Sequence, residues 1–247
     1  MYKADTEEAA GVLENAAESV QAYTMPAWWY CVRGWLLVQF VYRSSIHRQI
    51  RFFARNISGR HLDVPIGEGT LLSLALLWRK ICRKPQAQIT GVDYSRNMVE
   101  RATENFEKDS NIKVQWGDVG RLPFEAGSFA SVNIPNGFHC FPDPEGALKE
   151  LHRVLAPGGT LAANILLHPR GPGFMRWLPE TVNARAIRKG DLNRTFDLDD
   201  VLQTVREHGF VILEKRIDGN TLYLVAQKPG GSRAPVADVI CDSVQYS

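Results

Sequence analysis

Cysteine is sparse and scattered. Cys31, Cys82, Cys140 and Cys241 are the four in 247 residues, and no two stand at CxxC spacing. That argues against a zinc site and against a disulfide framework. No metal is expected, and a reducing, cytoplasmic setting is. Long hydrophobic runs are also missing. The most apolar stretch, Pro26 to Tyr42, is near the minimum for a span and carries Arg33 and Gln39 inside it, which argues against a transmembrane helix. The opening MYKADTEEAAGVLENAAESV is acidic and lacks the apolar core of a secretory signal. A net charge of +2 gives no global field for nucleic acid, so no nucleic-acid partner is expected. Acidic residues are absent from Ser19 to Leu62, where six arginines stand: Arg33, Arg43, Arg48, Arg51, Arg55 and Arg60. A second basic stretch, His168 to Lys189, sets Arg170, Arg176, Arg185, Arg188 and Lys189 against Glu180. Fields of one sign attract anionic ligands or membrane surfaces, but solvated helix faces have the same composition.

What is present is a change of rhythm. Residues 5–22 and 27–42 read as helices, the second apolar on nearly every side, and so buried or covered. Residues 44–57 read as a third, with Ile46, Ile50, Phe53 and Ile57 on one face, arginines on another, and Ser44 or Ser45 as its cap. Then short apolar strands at 60–64, 88–93, 112–116, 128–134 and 159–166 alternate with helices at 69–80, 95–107 and 143–155. This βαβ alternation specifies an α/β fold, a mostly parallel sheet with helices on both faces. Pro157-Gly158-Gly159 is read as the stop of the last of those helices. A loop rich in proline and glycine, 168–190, leads to a helix at 197–208 and two strands, 211–218 and 221–228, joined by Gly219-Asn220. That dipeptide signals a tight antiparallel hairpin. The tail after Pro229 has no periodicity.

Ligands of open α/β sheets bind beyond the carboxyl ends of the strands. The first strand ends in HLDVPIGEGT, where Asp63 enters a loop with Gly67 and Gly69, and the following helix presents free N–H groups. The second ends at Asp93-Tyr94. A carboxylate there can accept both hydroxyls of a ribose, with Tyr94 flanking the base, but Asp93 can equally cap the next helix. The third ends at Gly117-Asp118-Val119, where Asp118 can accept an adenine amine or simply make a turn. The fourth ends at Asn133-Ile134-Pro135-Asn136-Gly137-Phe138-His139-Cys140, with His139 its titratable group, either a base or a packed loop residue.

Together these stretches resemble a known family. From about residue 58 to 228 the chain is similar to class I S-adenosylmethionine-dependent methyltransferases, notably the small-molecule branch that includes the ubiquinone and menaquinone methyltransferases. HLDVPIGEGT resembles the first motif, GVDYSRNMVERA the acidic motif of the second strand, and WGDVGRLPFEAGSFASVNI the Gly-Asp motif. DPEGALKELHRVLAPGGTLAAN, the most specific stretch, resembles the helix-PGG-strand unit, and GFVILEKRIDGNTLYLVAQKP the terminal hairpin. The resemblance implies a Rossmann-like seven-stranded sheet with an N-terminal helical cap, and a division into a cap at 1–57, a cofactor domain at 58–228 and a flexible tail at 229–247.

It implies S-adenosylmethionine as cofactor, leaving as S-adenosylhomocysteine. Asp63, Gly67 and Gly69, with Pro65 in the same loop, would border its methionine portion. Asp93 would hold the ribose, with Tyr94 and Met98 near the adenosine. Asp118 and Val119 would contact adenine, Asn133 and Pro135 would lie near the sulfonium, and His139 would be the candidate base. The acceptor implied is a hydrophobic small molecule, quinone-like or a secondary metabolite. It would be covered by Trp28, Trp29 and Tyr30 on one side and by Phe138, Phe174 and Trp177 on the other, with the basic aromatic N-terminal helices able to touch a membrane surface. Three departures stand out: Pro65 where a glycine is usual, Glu68 where a small neutral residue is usual, and Asn133-Ile134-Pro135 without an acidic residue. They keep open a methyltransferase fold that binds the cofactor without methyl transfer. An NAD-dependent oxidoreductase is disfavoured, because the third glycine of that fingerprint is absent.

Overall fold

The computed structural model describes residues 45–169, 173–188 and 192–230. The helices expected at 5–22 and 27–42, and most of the expected tail, lie outside the described residues. Seven strands form one sheet: β1 (Arg60–Asp63), β2 (Gln88–Asp93), β3 (Ile112–Trp116), β4 (Phe129–Ile134), β5 (Leu155–Leu166), β6 (Val211–Asp218) and β7 (Thr221–Gln227). Their order is β3-β2-β1-β4-β5-β7-β6. β1 to β5 are parallel, and β7 is antiparallel to both its neighbours. Each of the first three connections carries the chain across through a helix or loop, as parallel pairing requires. The chain reverses its direction of travel along the sheet between β1 and β4, the point where α/β sheets open a crevice.

Six α-helices lie among the described residues: α1 (Ile46–Asn56), α2 (Thr70–Ile81), α3 (Arg96–Phe106), α4 (Pro144–Val154), α5 (Gly173–Arg188) and α6 (Leu198–Glu207). The strands alternate between two layers of helix. On one side Ala147, Leu148, Leu151 and Val154 of α4 and Val201, Leu202 and Val205 of α6 pack with Leu62, Val132, Leu161 and Leu224 of the sheet. On the other, Ala54 of α1, Leu72 and Ala75 of α2 and Ala102 and Phe106 of α3 pack with Ile89 and Ile112, and Phe52 and Phe53 of α1 pack with Ala162, Tyr223 and Val225. Arg79 of α2 ties this layer together. It is buried, and its guanidinium donates to the carbonyls of Ala54 and Ile57 at 2.8 Å and of Pro85 at 2.6 Å. Two of those are carbonyls at the end of α1 that no intrahelical N–H can reach.

Three expectations are corrected. Residues 168–190 are not one loop: Gly173–Arg188 is a 16-residue helix with Pro179 inside it. The prolines and glycines are concentrated before it, and FMRWLPETVNARAIR is otherwise made largely of residues a helix accepts. Pro157-Gly158-Gly159 does not stop α4, which ends at Val154; the three residues lie inside β5, where the pairing with β4 shifts register between Phe129 and Ser131. Ser45 stands at the N-cap of α1 but its side chain makes no capping bond. Instead its N–H donates to Asp218 Oδ2 at 3.1 Å, Arg48 meets Asp218 Oδ1 at 2.7 Å and Arg55 donates to Glu214 Oε1 at 2.6 Å. The arginine face of α1 is therefore partly matched by acids of β6, which reduces its field toward outside anions.

Candidate cofactor and acceptor site

The loop between β1 and α2 is held by Asp93. Its Oδ2 accepts the N–H of Gly67 at 2.8 Å, and its Oδ1 accepts the N–H of Ser95 at 2.9 Å. One carboxylate so joins the first two strand-end loops and still has acceptor capacity for a further donor. Burial pushes the Asp93 carboxyl up from its ordinary range, against the backbone N–H groups of Ser95, Gly67 and Tyr94. The helix cap that sequence left as an alternative for Asp93 belongs to Ser95, whose side chain accepts from Met98 N. Gly69 is the N-cap residue of α2 at φ 85°, and a Cβ there would run into the ring of Phe106. Glu68 turns toward α3. Its Oε1 accepts from Thr70 Oγ1 at 3.0 Å, its Oε2 lies 3.8 Å from Arg101, and its carbonyl accepts from Asn105 Nδ2 at 2.7 Å. Its charge is thus met within the protein. The Val64–Pro65 peptide is cis, and the Pro65 ring lies so close to Gly137 that any Cβ at 137 would overlap its Cγ and Cδ.

The face of the sheet beneath α1 carries a polar row. His61 pairs in register with Ser131, and Asp63 with Asn133, so in a pleated parallel pair their side chains share one face. Ser131 Oγ donates to Ser58 O at 2.8 Å and accepts from Ser58 N at 2.9 Å. His61 Nδ1, 2.8 Å from the same oxygen, must therefore be the donor. That leaves His61 Nε2 without a partner, 3.7 Å from Asp63 Oδ2. Asn133 Nδ2 donates to Phe53 O at 3.3 Å. Asp63 Oδ1 and Asn133 Oδ1 are buried and have no hydrogen-bond partner among the described residues. Burial raises the Asp63 carboxyl, opposed by His61 beside it. Two buried acceptors on adjacent strand ends, each costing about 1–3 kcal/mol while unmet, suit a ligand bearing donors or positive charge. The ammonium and sulfonium end of S-adenosylmethionine has that chemistry, and the residues present fit it.

A second group lies just past β4. Asn136, at φ 52°, is fixed by Gln49 of α1 and Asn164 of β5. His139 follows in a short 3-10 turn, Phe138–Cys140. Its Nδ1 is buried without a partner among the described residues, and burial pushes the imidazole down to about 4. At neutral pH it is uncharged, a good hydrogen-bond acceptor but a weak base. The sign of the linkage follows. A depressed histidine costs nothing above its unfolded value of 6.5 and withdraws stability as the pH falls toward the folded value. Wild type should lose about 1 kcal/mol more than His139→Asn between pH 6.5 and 5.5, read as urea midpoints. Equal losses in the two proteins would show that His139 titrates as if exposed.

The other expected residues are placed as follows. Tyr94 is exposed, with its ring 5.8 Å from that of Trp116. Met98, in the first turn of α3, is 3% exposed. Asp118 is exposed and accepts from Gly120 N at 2.9 Å, the turn that sequence allowed for it, while Val119 is buried. Pro135 is half-buried. Phe138 is buried in the main core beside Phe141 and Phe196. Trp177 is exposed on α5. Trp28, Trp29, Tyr30 and the side chain of Phe174 lie outside the described residues. Sequence reading missed Gln49, His61, Ser131, Asn136 and Asn164. The signal was polar residues two apart in otherwise apolar strands, as in His61/Asp63 and Ser131/Asn133. A cleft of about 500 Å³ lined by Arg206, Phe210 and Lys215 is at the β6 edge, remote from β1 in the strand order.

Residues 62–163, which run from β1 into β5, match the family model of a methyltransferase domain. Over that segment the chain is similar to a methyltransferase domain. Demethylmenaquinone methyltransferase of Staphylococcus aureus is 41% identical over 90 residues, 36% of this chain and 37% of that protein. The aligned part of the chain thus spans little more than a third of the curated relatives it matches. Solved structures share the fold of the domain at greater sequence distance. YcgJ of Bacillus subtilis aligns with TM-score 0.59 at 19% identity, over 75% of this chain and 100% of that one. Phosphoethanolamine N-methyltransferase 2 of Haemonchus contortus, in complex with S-adenosylmethionine, aligns with TM-score 0.59 at 17% identity, over 74% of this chain and 52% of that one. The [4+2]-cyclase SpnF aligns with TM-score 0.58 at 20% identity, over 74% of this chain and 82% of that one.

Proposed function

We propose that this protein transfers a methyl group from S-adenosylmethionine to a hydrophobic small molecule, quinone-like or a secondary metabolite. The observation that carries the reading is Asp93, buried at the end of β2 and shared between the glycine loop and the start of α3. Asp93 would take the ribose hydroxyls, and Asp63 and Asn133 would face the charged end of the cofactor. When bound, the cofactor supplies a methyl group already activated for transfer. The protein's part is then alignment and exclusion of water. Gly67 and Gly69 keep the backbone low beneath the ligand. Neutral His139 can accept a hydrogen bond from the incoming group. Residues 1–57 would act as a cap over the acceptor, and their arginines and tryptophans would let the cap rest on a membrane surface from the cytoplasmic side.

A second reading keeps the cofactor and drops the transfer. Pro65 favours it, because its ring fills the space against Gly137 at the point where the two loops meet. Calorimetry decides between them. S-adenosylmethionine and S-adenosylhomocysteine should bind and NAD should not. Absence of binding by both adenosyl compounds ends both readings. Binding without turnover on quinol, phenol and amine panels selects the second.

A further inference from the structure

The orientation of three side-chain amides can be read without ambiguity. A backbone N–H can only donate, so the atom of Asn164 that lies 2.6 Å from Asn136 N is its oxygen, Oδ1. The other end of Asn164 is then the NH₂, and the Asn136 atom it meets must be Oδ1. That same oxygen lies 2.6 Å from the Gln49 amide, which must present its own NH₂. The chain of reasoning ends at Gln49 Oε1. This oxygen is buried in a residue 1% exposed, and among the described residues nothing donates to it. A glutamine on the buried face of α1 is costly unless its oxygen is met, by about 1–3 kcal/mol. The arrangement also holds Asn136 at a positive φ that a residue other than glycine seldom adopts. Such strain is retained where the surroundings over-determine it, often at ligand sites.

Resting on the methyltransferase reading, we propose that Gln49 is a specificity-determining residue which, held by Asn136 and Asn164, grips an O–H or N–H of the methyl acceptor. The location supports this. Asn136 lies two residues beyond β4, on the segment that carries His139, whose Nδ1 is a second buried polar atom without a partner among the described residues. Two unmet polar groups, one on α1 and one on the loop after β4, select an acceptor with a protic head group on an apolar body, a phenol or enol over its ether or parent hydrocarbon. A site built to hydrogen-bond a hydroxyl rejects the analogue lacking it, because its own buried groups are then left unpaired.

Matched probes test the assignment. Binding of 1-naphthol and 1-methoxynaphthalene to the full chain is measured by calorimetry, with and without S-adenosylhomocysteine. Wild type should bind 1-naphthol at least about tenfold more tightly, the worth of one well-made hydrogen bond. Gln49→Met should bring the ratio to about one while leaving S-adenosylhomocysteine affinity within about twofold. Equal affinities in wild type, including no binding of either compound, overturn the proposal without any variant. A ratio retained by a folded Gln49→Met overturns it as well. Loss of S-adenosylhomocysteine binding by wild type would end the methyltransferase reading. The naphthol ratio, read without that ligand, would still judge the role of Gln49 by itself.

Discussion

Asp93→Ala should weaken S-adenosylhomocysteine binding by about 100-fold, the loss of roughly 3 kcal/mol carried by two hydrogen bonds to a charged acceptor. The effect has two sources. The variant removes the acceptor capacity that would meet the ribose, and it releases Gly67 and Ser95, whose N–H groups donate to the carboxylate. Asp93→Asn should lose nearly as much, since either orientation of its amide turns an N–H toward one of those two backbone donors. Titration calorimetry on folded variants measures this. An Asp93→Ala protein that binds within about threefold of wild type would remove the ribose role and leave Asp93 as a structural tie between loops.

Gly69→Ala should destabilise the fold by about 3 kcal/mol. The backbone at φ 85° is left-handed, which costs a residue with a Cβ about 1–2 kcal/mol. The new methyl would also press on Phe106 of α3, and overpacking of that kind costs about 1–3 kcal/mol. In a chain of this size the sum corresponds to a fall in Tm of about 10 °C. Gly67→Ala is the control. Its φ is 57° but open space surrounds the added methyl, so stability should fall by only about 1 kcal/mol. Thermal denaturation of the two variants side by side gives the comparison. A Gly69→Ala protein as stable as Gly67→Ala would show that α3 shifts freely away from the loop.

Much of the architecture was readable because each element announces itself locally. Alternation of short apolar runs with 3.6-periodic segments placed β2 and β3 at their observed ends, and Gly219-Asn220 placed the hairpin between β6 and β7. Periodicity, turn residues and caps act over a few residues, so the chain states them directly. The readings that failed are those where distant partners decide. Proline and glycine around 168–190 suggested a loop, but propensity is weak against packing, and α5 forms there with a proline inside. Along α1 the periodicity put Ile46, Ile50, Phe53 and Ile57 on one face. The structure buries Phe53 and Ile57 but leaves Ile46 and Ile50 half-buried, and it buries Gln49 and Phe52 as well, because the loop after β4 supplies Gln49 with a polar partner that a one-dimensional pattern does not contain.

The candidate site divides along the same line. Sequence by itself determined which chemical groups stand at the strand ends: Asp63, Asp93, Asn133, His139 and two glycines in a loop. Their order along the chain and the strand-helix alternation suffice for that, since a parallel sheet brings every carboxyl end to one edge. Which of those groups are free to bind was decided only by the tertiary structure. Asp118, equal to the others in sequence, is exposed, with Oδ1 accepting from Gly120 N and no hydrogen bond given to Oδ2 among the described residues. Asp63 and Asn133 each keep a buried oxygen that no described residue meets. Glu68, a misplaced charge when read in the loop alone, is matched by Thr70 and Arg101. The physical reason is that burial and hydrogen-bond satisfaction are properties of neighbours in space. Gln49 has no motif, and becomes a candidate only when folding sets it against Asn136, 87 positions away in the chain.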